Sequence, residues 1–127
     1  IAGLNIARMP LPAAERLRMF VIECHRQTVA TMMDHRKVHD MVAIALEEQW
    51  PVVERHLDHM TGIMAMIIKD GIASGEFAKV DPDVAARSFT AAMATTCHPS
   101  LITQCYGKPN RASPEELVEF AMRAMRP

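Results

Sequence analysis

The sequence predicts an all-α fold, and three observations carry that reading. Apolar residues recur at helical spacing through most of the chain. Prolines, capping residues and a well-placed glycine mark helix starts and stops. Eleven Met accompany only one Trp, one Tyr and four Phe, so Met, Leu, Ile, Val and Ala must fill most of the core. Those residues are helix formers or flexible gap-fillers. With 127 residues, half of them hydrophobic, the chain suits one domain over residues 1–127 with a single buried core.

Residues 1–11 read as the frayed end of an earlier helix, punctuated by Pro10 and Pro12. Pro12 suits a first helical position, where no N–H is needed. A long helix then runs from about Pro12 to Asp34, with Leu17, Phe20, Val21, Cys24, Thr28 and Met32 on one face. A shorter one, from about Lys37 to Glu48, carries Val38, Met41, Val42, Ile44, Ala45 and Leu46. Trp50-Pro51 breaks it, because a residue before proline is pushed out of helical geometry.

The next helix spans about Pro51 to Ser74, with Val53, Leu57, Met60, Met64, Ile67 and Ile68 as its stripe. Its segment Ile63–Ile68 is apolar all round, which predicts an enclosed central element. Gly75 suits a left-handed C-cap. Asp81-Pro82 opens a helix bearing Val84, Ala85, Phe89, Ala92, Met93 and Ala94. Pro99 ends it or starts a short helix to about Tyr106, and residues 107–112 form a loop. Ser113 and Glu116 form a capping box for a last helix to about Arg126. That helix has one apolar face of Leu117, Phe120, Ala121 and Ala124, and another of Val118, Met122 and Met125. Either both faces bury within the subunit or one meets a second copy.

Composition excludes several functions. The net charge of −1 leaves no basic excess for gripping phosphates, so this domain alone is a poor DNA binder. Cys24, Cys97 and Cys105 are odd in number and form no CxxC, which predicts reduced thiols in a cytoplasmic protein. No signal peptide and no membrane-spanning run are visible. The first residue is Ile1, which predicts a piece of a longer protein.

The pairs His35/His39, beside Asp40, and His56/His59 have spacings that metal ligands use. The first pair crosses a helix break, and all four read as partly exposed histidines, with no metal or other cofactor expected. Cys97-His98 are sequence neighbours that point apart on a helix, and there is no nucleophile elbow, so no enzyme is predicted. Burial as small hydrophobes is the default for the cysteines, with redox sensing the alternative. Arg16, Arg18, Glu47, Glu48, Arg123 and Arg126 read as solvated helix faces.

The segment Ile67-Ile68-Lys69-Asp70-Gly71-Ile72-Ala73-Ser74-Gly75-Glu76-Phe77, followed by Asp81-Pro82-Asp83-Val84-Ala85-Ala86-Arg87, resembles the pocket helix and next helix of TetR-family repressors. Ala45-Leu46-Glu47-Glu48-Gln49-Trp50-Pro51-Val52-Val53 and His98-Pro99-Ser100-Leu101-Ile102-Thr103-Gln104-Cys105 are similar too, in the same order. The resemblance covers the chain from about residue 12 onward. The departure is at the front, where too few residues precede residue 12 to hold that family's three-helix DNA-binding domain.

The resemblance therefore implies the effector-sensing and dimerisation domain of a bacterial repressor, a bundle of about five to six helices. DNA would be contacted only through the absent helix-turn-helix domain. It implies a homodimer through a four-helix bundle of the last two long helices, with Val84, Ser88, Ala92, Thr95, Leu117, Phe120, Ala121 and Ala124 at the interface. It also implies a pocket for a small effector between the first long helix, the short Lys37–Glu48 helix, the Pro51–Ser74 helix and the helix opened by Asp81-Pro82. Residue chemistry makes that pocket apolar, with Phe20, Cys24, Trp50, Met60, Met64, Phe89, Met93 and Cys97 as its lining. The alternative is a helical dimerisation module in which those residues are plain core.

Overall fold

The structure, a computed structural model, describes residues 2–127. Among the described residues there are eight helices and no strand. They are α1 (Ala2–Ala7), α2 (Ala13–Asp34), α3 (Arg36–Glu47), α4 (Pro51–Ser74), α5 (Pro82–Ala92), α6 (Ala94–Cys97), α7 (Pro99–Cys105) and α8 (Pro114–Arg123). No helix among them is long and apolar enough to cross a membrane.

The core lies between α2 and α4. Ala13, Leu17, Phe20 and Val21 of α2 meet Ile63, Met64, Ile67 and Ile68 of α4, and α1 adds Ile6 and Ala7. Phe89 and Met93 close one side, and Val118, Ala121 and Met122 of α8 close the other. The α2 stripe read from the sequence points inward, with Cys24 and Thr28 half-buried at its edge.

Local chemistry explains the joints. His35 alone separates α2 from α3, with φ −136° and ψ 60° breaking the helical run. Trp50 is extended ahead of Pro51, as the steric rule for a pre-proline residue requires. Gly75 ends α4 at φ 84°, a left-handed value that favours glycine. The Glu76 amide then reaches back to the Gly71 carbonyl at 2.8 Å, and Gly75 to Ile72 at 3.2 Å. That double closure satisfies carbonyls the helix end leaves open.

Four expectations need correction. The helix after Asp81 is not continuous, because Met93 interrupts it and α6 restarts at Ala94. The Thr96 hydroxyl bonds the Met93 carbonyl at 2.9 Å, competing with the helical ladder. The Ile63–Ile68 segment is not enclosed all round, since Met66 is 47% exposed. His39 is not at the surface but buried, with Nε2 2.9 Å from Thr103 Oγ1, which joins α3 to α7.

Arg16 is not on a solvated face either. Its side chain is only 11% exposed and pairs with Asp70 at 2.9 Å. It also donates to the Ala7 carbonyl at 2.8 Å and the Leu11 carbonyl at 3.0 Å. One guanidinium thus ties α1, the following turn and α4 to α2. Arg18 similarly pairs with Glu119, joining α2 to α8, and that hydrogen bond holds the Glu119 carboxyl below the usual carboxylate range.

Candidate functional site

An open apolar surface lies between α5 and α8. Each helix is fixed at its N-terminus by its own cap. Asp81 accepts from the amides of Asp83 at 2.9 Å and Val84 at 3.2 Å. Ser113 and Glu116 form the reciprocal capping box at the start of α8, with bonds of 3.1 and 2.9 Å. The far end of α8 is anchored by the Ala78 amide donating to the Met125 carbonyl at 2.7 Å.

Held this way, the two helices leave a groove of about 400 Å³. Buried Phe89, Ala121 and Met125 form its floor, and Val84, Ser88, Ala92, Phe120 and Ala124 form its exposed walls. Its single charged residue, Asp81, is already used as a cap. Phe120 is 73% exposed and Val84 48%. Withdrawing a phenyl ring of that size from water contributes about 2 kcal/mol, so an unpartnered face of this kind favours association.

Of the interface residues read from the sequence, Val84, Ser88, Ala92, Phe120, Ala121 and Ala124 come together in this groove. Thr95 and Leu117 do not; they line a neighbouring cleft of about 450 Å³ between α2, α6, α7 and α8. That cleft also contains His25, Tyr106, Lys108 and Arg111, which sequence reasoning did not single out. The His25 and Tyr106 rings lie 6.3 Å apart at 43°. His25 Nδ1 is 2.7 Å from the Thr96 carbonyl, so it must carry the donated proton. No periodicity could reveal this cleft, since its walls come from a helix face, two short helices and a loop far apart in sequence.

The residues read as an apolar pocket are partly assembled. Phe20, Met64, Phe89 and Met93 are buried in one continuous cluster, and Met60 and Cys97 pack against it. The Thr90 hydroxyl lies 3.6 Å from the Met64 sulfur. Cys24 is half-buried on α2, its thiol beside that of Cys97. Trp50 stands apart, 41% exposed at the α3–α4 corner, its indole N–H donating to Glu48 at 2.9 Å. His98 does not touch a nucleophile. Its Nδ1 accepts from the Ser100 amide at 3.2 Å at the start of α7, and burial pushes its pKa below the ordinary value. Among the described residues no group of three or more His, Cys, Asp or Glu could hold a metal ion.

Comparison with known proteins identifies a family. The model of the family described as "Tetracyclin repressor-like, C-terminal domain" fits residues 13–118. No curated protein and no solved structure matches this chain significantly. The matched span begins at the first residue of α2 and ends within α8, so it takes in most of the core, the cleft and most of the groove. The chain belongs to the family of tetracyclin repressor-like C-terminal domains, the ligand-binding and dimerisation domains of transcription regulators.

Proposed function

We propose that this chain is the effector-sensing and dimerisation domain of a cytoplasmic bacterial repressor, acting on DNA through a separate helix-turn-helix domain. The observation that carries the reading is the unpartnered α5–α8 face. Phe120 projects beside the small side chains of Ser88, Ala92 and Ala124. A two-fold axis would set each Phe120 against the small-residue wall of the other copy and create a self-complementary four-helix contact. Light scattering over a dilution series tests this: a mass near twice 14.2 kDa is expected at high concentration. A monomer at every concentration would remove the dimer.

We assign the effector to the methionine-rich centre around Phe20, Met60, Met64, Phe89 and Met93, with Cys24 and Cys97 at its rim. Trp50 would take part only by moving in from its exposed corner. Unbranched Met repacks at low cost, which supports a site that opens for an apolar guest. Binding one helix arrangement better than another would shift the spacing of the two DNA-binding domains. N-phenylnaphthylamine serves as an apolar probe. Saturable fluorescence enhancement that Met64→Phe abolishes, in a variant that keeps its helical circular dichroism, is the expected result. The close burial of Phe20, Met64, Phe89 and Met93 is the observation that favours the second reading, a dimerisation module with a solid core. Absence of saturable probe binding would select that reading.

A further inference from the structure

The cysteines are not three isolated thiols. Cys24 on α2 lies beside Cys97, which closes α6, and each thiol acts on the other's proton affinity. The adjacent pair fixes this register, because His25 donates to the Thr96 carbonyl at 2.7 Å. Residues 24–25 of one helix therefore face residues 96–97 of the other. Thr96 Oγ1 adds a polar neighbour 3.6 Å from Cys97 Sγ. Both cysteines are half-buried rather than sealed. Cys105, the third, belongs to the separate cleft.

From this juxtaposition we infer that Cys24 and Cys97 form a reversible dithiol switch that closes to an intramolecular disulfide when a hydroperoxide reacts with Cys97. The two sulfurs have different roles. The neighbouring Cys97 sulfur holds the Cys24 thiol well above the ordinary thiol range, and burial pushes it in the same direction. Cys97 is held below the ordinary value by the Cys24 thiol beside it, with Thr96 assisting against the opposing effect of burial. The thiolate is the nucleophile in such chemistry, so Cys97 is the attacking sulfur and Cys24 the resolving one.

In the first step the Cys97 thiolate attacks the terminal peroxide oxygen. The O–O bond breaks, the leaving alkoxide or hydroxide takes a proton to become alcohol or water, and Cys97 becomes a sulfenic acid. Cys24 sulfur then attacks Cys97 sulfur and the S–O bond breaks. Hydroxide leaves with the Cys24 proton as water. Two thiols are oxidised by two electrons and one peroxide is reduced. The four-residue α6, set between the interruption at Met93 and His98-Pro99, carries Cys97 at its end. Because both sulfurs stand at the rim assigned to the effector, closing the bond would change that lining.

The test uses the full reduced chain and hydrogen peroxide, followed by free-thiol counting and non-reducing peptide mass spectrometry. The expected result is loss of two of the three thiols, a single linked peptide joining Cys24 to Cys97, and full recovery with dithiothreitol. Cys105→Ser should behave the same way. Cys24→Ser should stop at a sulfenic acid on Cys97 that dimedone traps, and Cys97→Ser should leave Cys24 unreacted. The inference is overturned if all three thiols survive a peroxide dose that oxidises a free-cysteine peptide, or if the linkage involves Cys105 or joins two chains. The peptide map of the unmutated chain decides the matter even where a variant folds poorly.

Discussion

The Glu76 carboxylate accepts the Ala13 backbone amide at 2.8 Å, capping α2 from 63 residues further along the chain. It takes the Ala14 amide at 3.2 Å as well, and the Ser74 hydroxyl donates to it at 3.0 Å. Pro12, at the N-cap position, has no side-chain acceptor to offer. Glu76 therefore supplies across space what the local sequence lacks, and pins the turn after α4 to the start of α2.

Glu76→Ala is expected to cost about 1–2 kcal/mol, the usual loss for a removed cap. Glu76→Gln keeps one acceptor oxygen and should lose less. Urea denaturation of the three chains checks the order. Equal stability of wild type and Glu76→Ala would show that water replaces the carboxylate without penalty.

The two glycines within α4 predict opposite outcomes for the same substitution. A Cβ on Gly71 would fall 2.3 and 2.4 Å from the Phe77 ring and 3.0 Å from Ala13 Cβ, whereas one on Gly62 meets nothing within 4 Å. Helix propensity alone favours alanine over glycine by about 1 kcal/mol. Gly62→Ala should thus gain about that amount, and Gly71→Ala should lose about 1–3 kcal/mol to overpacking. Thermal melts giving the same sign for both would contradict the Phe77 contact.

Acid should weaken the fold in two windows. Burial depresses the His98 pKa below its ordinary 6.5, so the folded chain binds fewer protons there than the unfolded one. Its contribution is complete above the unfolded value and declines as pH falls through it toward the folded value. For Glu76, burial pushes the pKa up, but the Ala13 and Ala14 amides, Ser74 and Arg16 outweigh it, and the net shift is below the ordinary 4.5. Its contribution is present above that value and is lost as pH falls through the lower folded value. Urea midpoints measured across pH should lose the upper step in His98→Gln and show a smaller lower step in Glu76→Gln. An unchanged upper step in His98→Gln would assign that window to another group.

Helix identities and caps were legible because each has a short-range signal. Asp81, Ser113-Glu116, Gly75 and Trp50-Pro51 all act where their chemistry says they should. The inner face of α8 was legible for the same reason, with Val118, Met122 and Met125 buried. The interaction partners were not. Arg16 looks like any charged helix residue until Asp70 and the Ala7 carbonyl are brought to it by folding. His39 looks like a helix-end histidine until Thr103 arrives from α7. The interruption at Met93 had a faint cue in Thr96, whose hydroxyl competes for a backbone carbonyl. For the candidate site, spacing put Phe120, Ala121 and Ala124 on one face of α8, and only the family resemblance set them together with Val84, Ser88 and Ala92 of α5. Trp50 was grouped with the pocket by its type alone, and type does not fix where a corner residue points.

The central claim is that the α5–α8 face is where two copies of this chain meet. Sedimentation velocity of wild type, Phe120→Asp and Met33→Asp tests it most directly, since Phe120 and Met33 are 73% and 66% exposed and only Phe120 walls the groove. The predicted result is a dimer for wild type and Met33→Asp and a monomer for Phe120→Asp, with unchanged helical circular dichroism in all three. A Phe120→Asp chain that still sediments as a dimer would contradict the account.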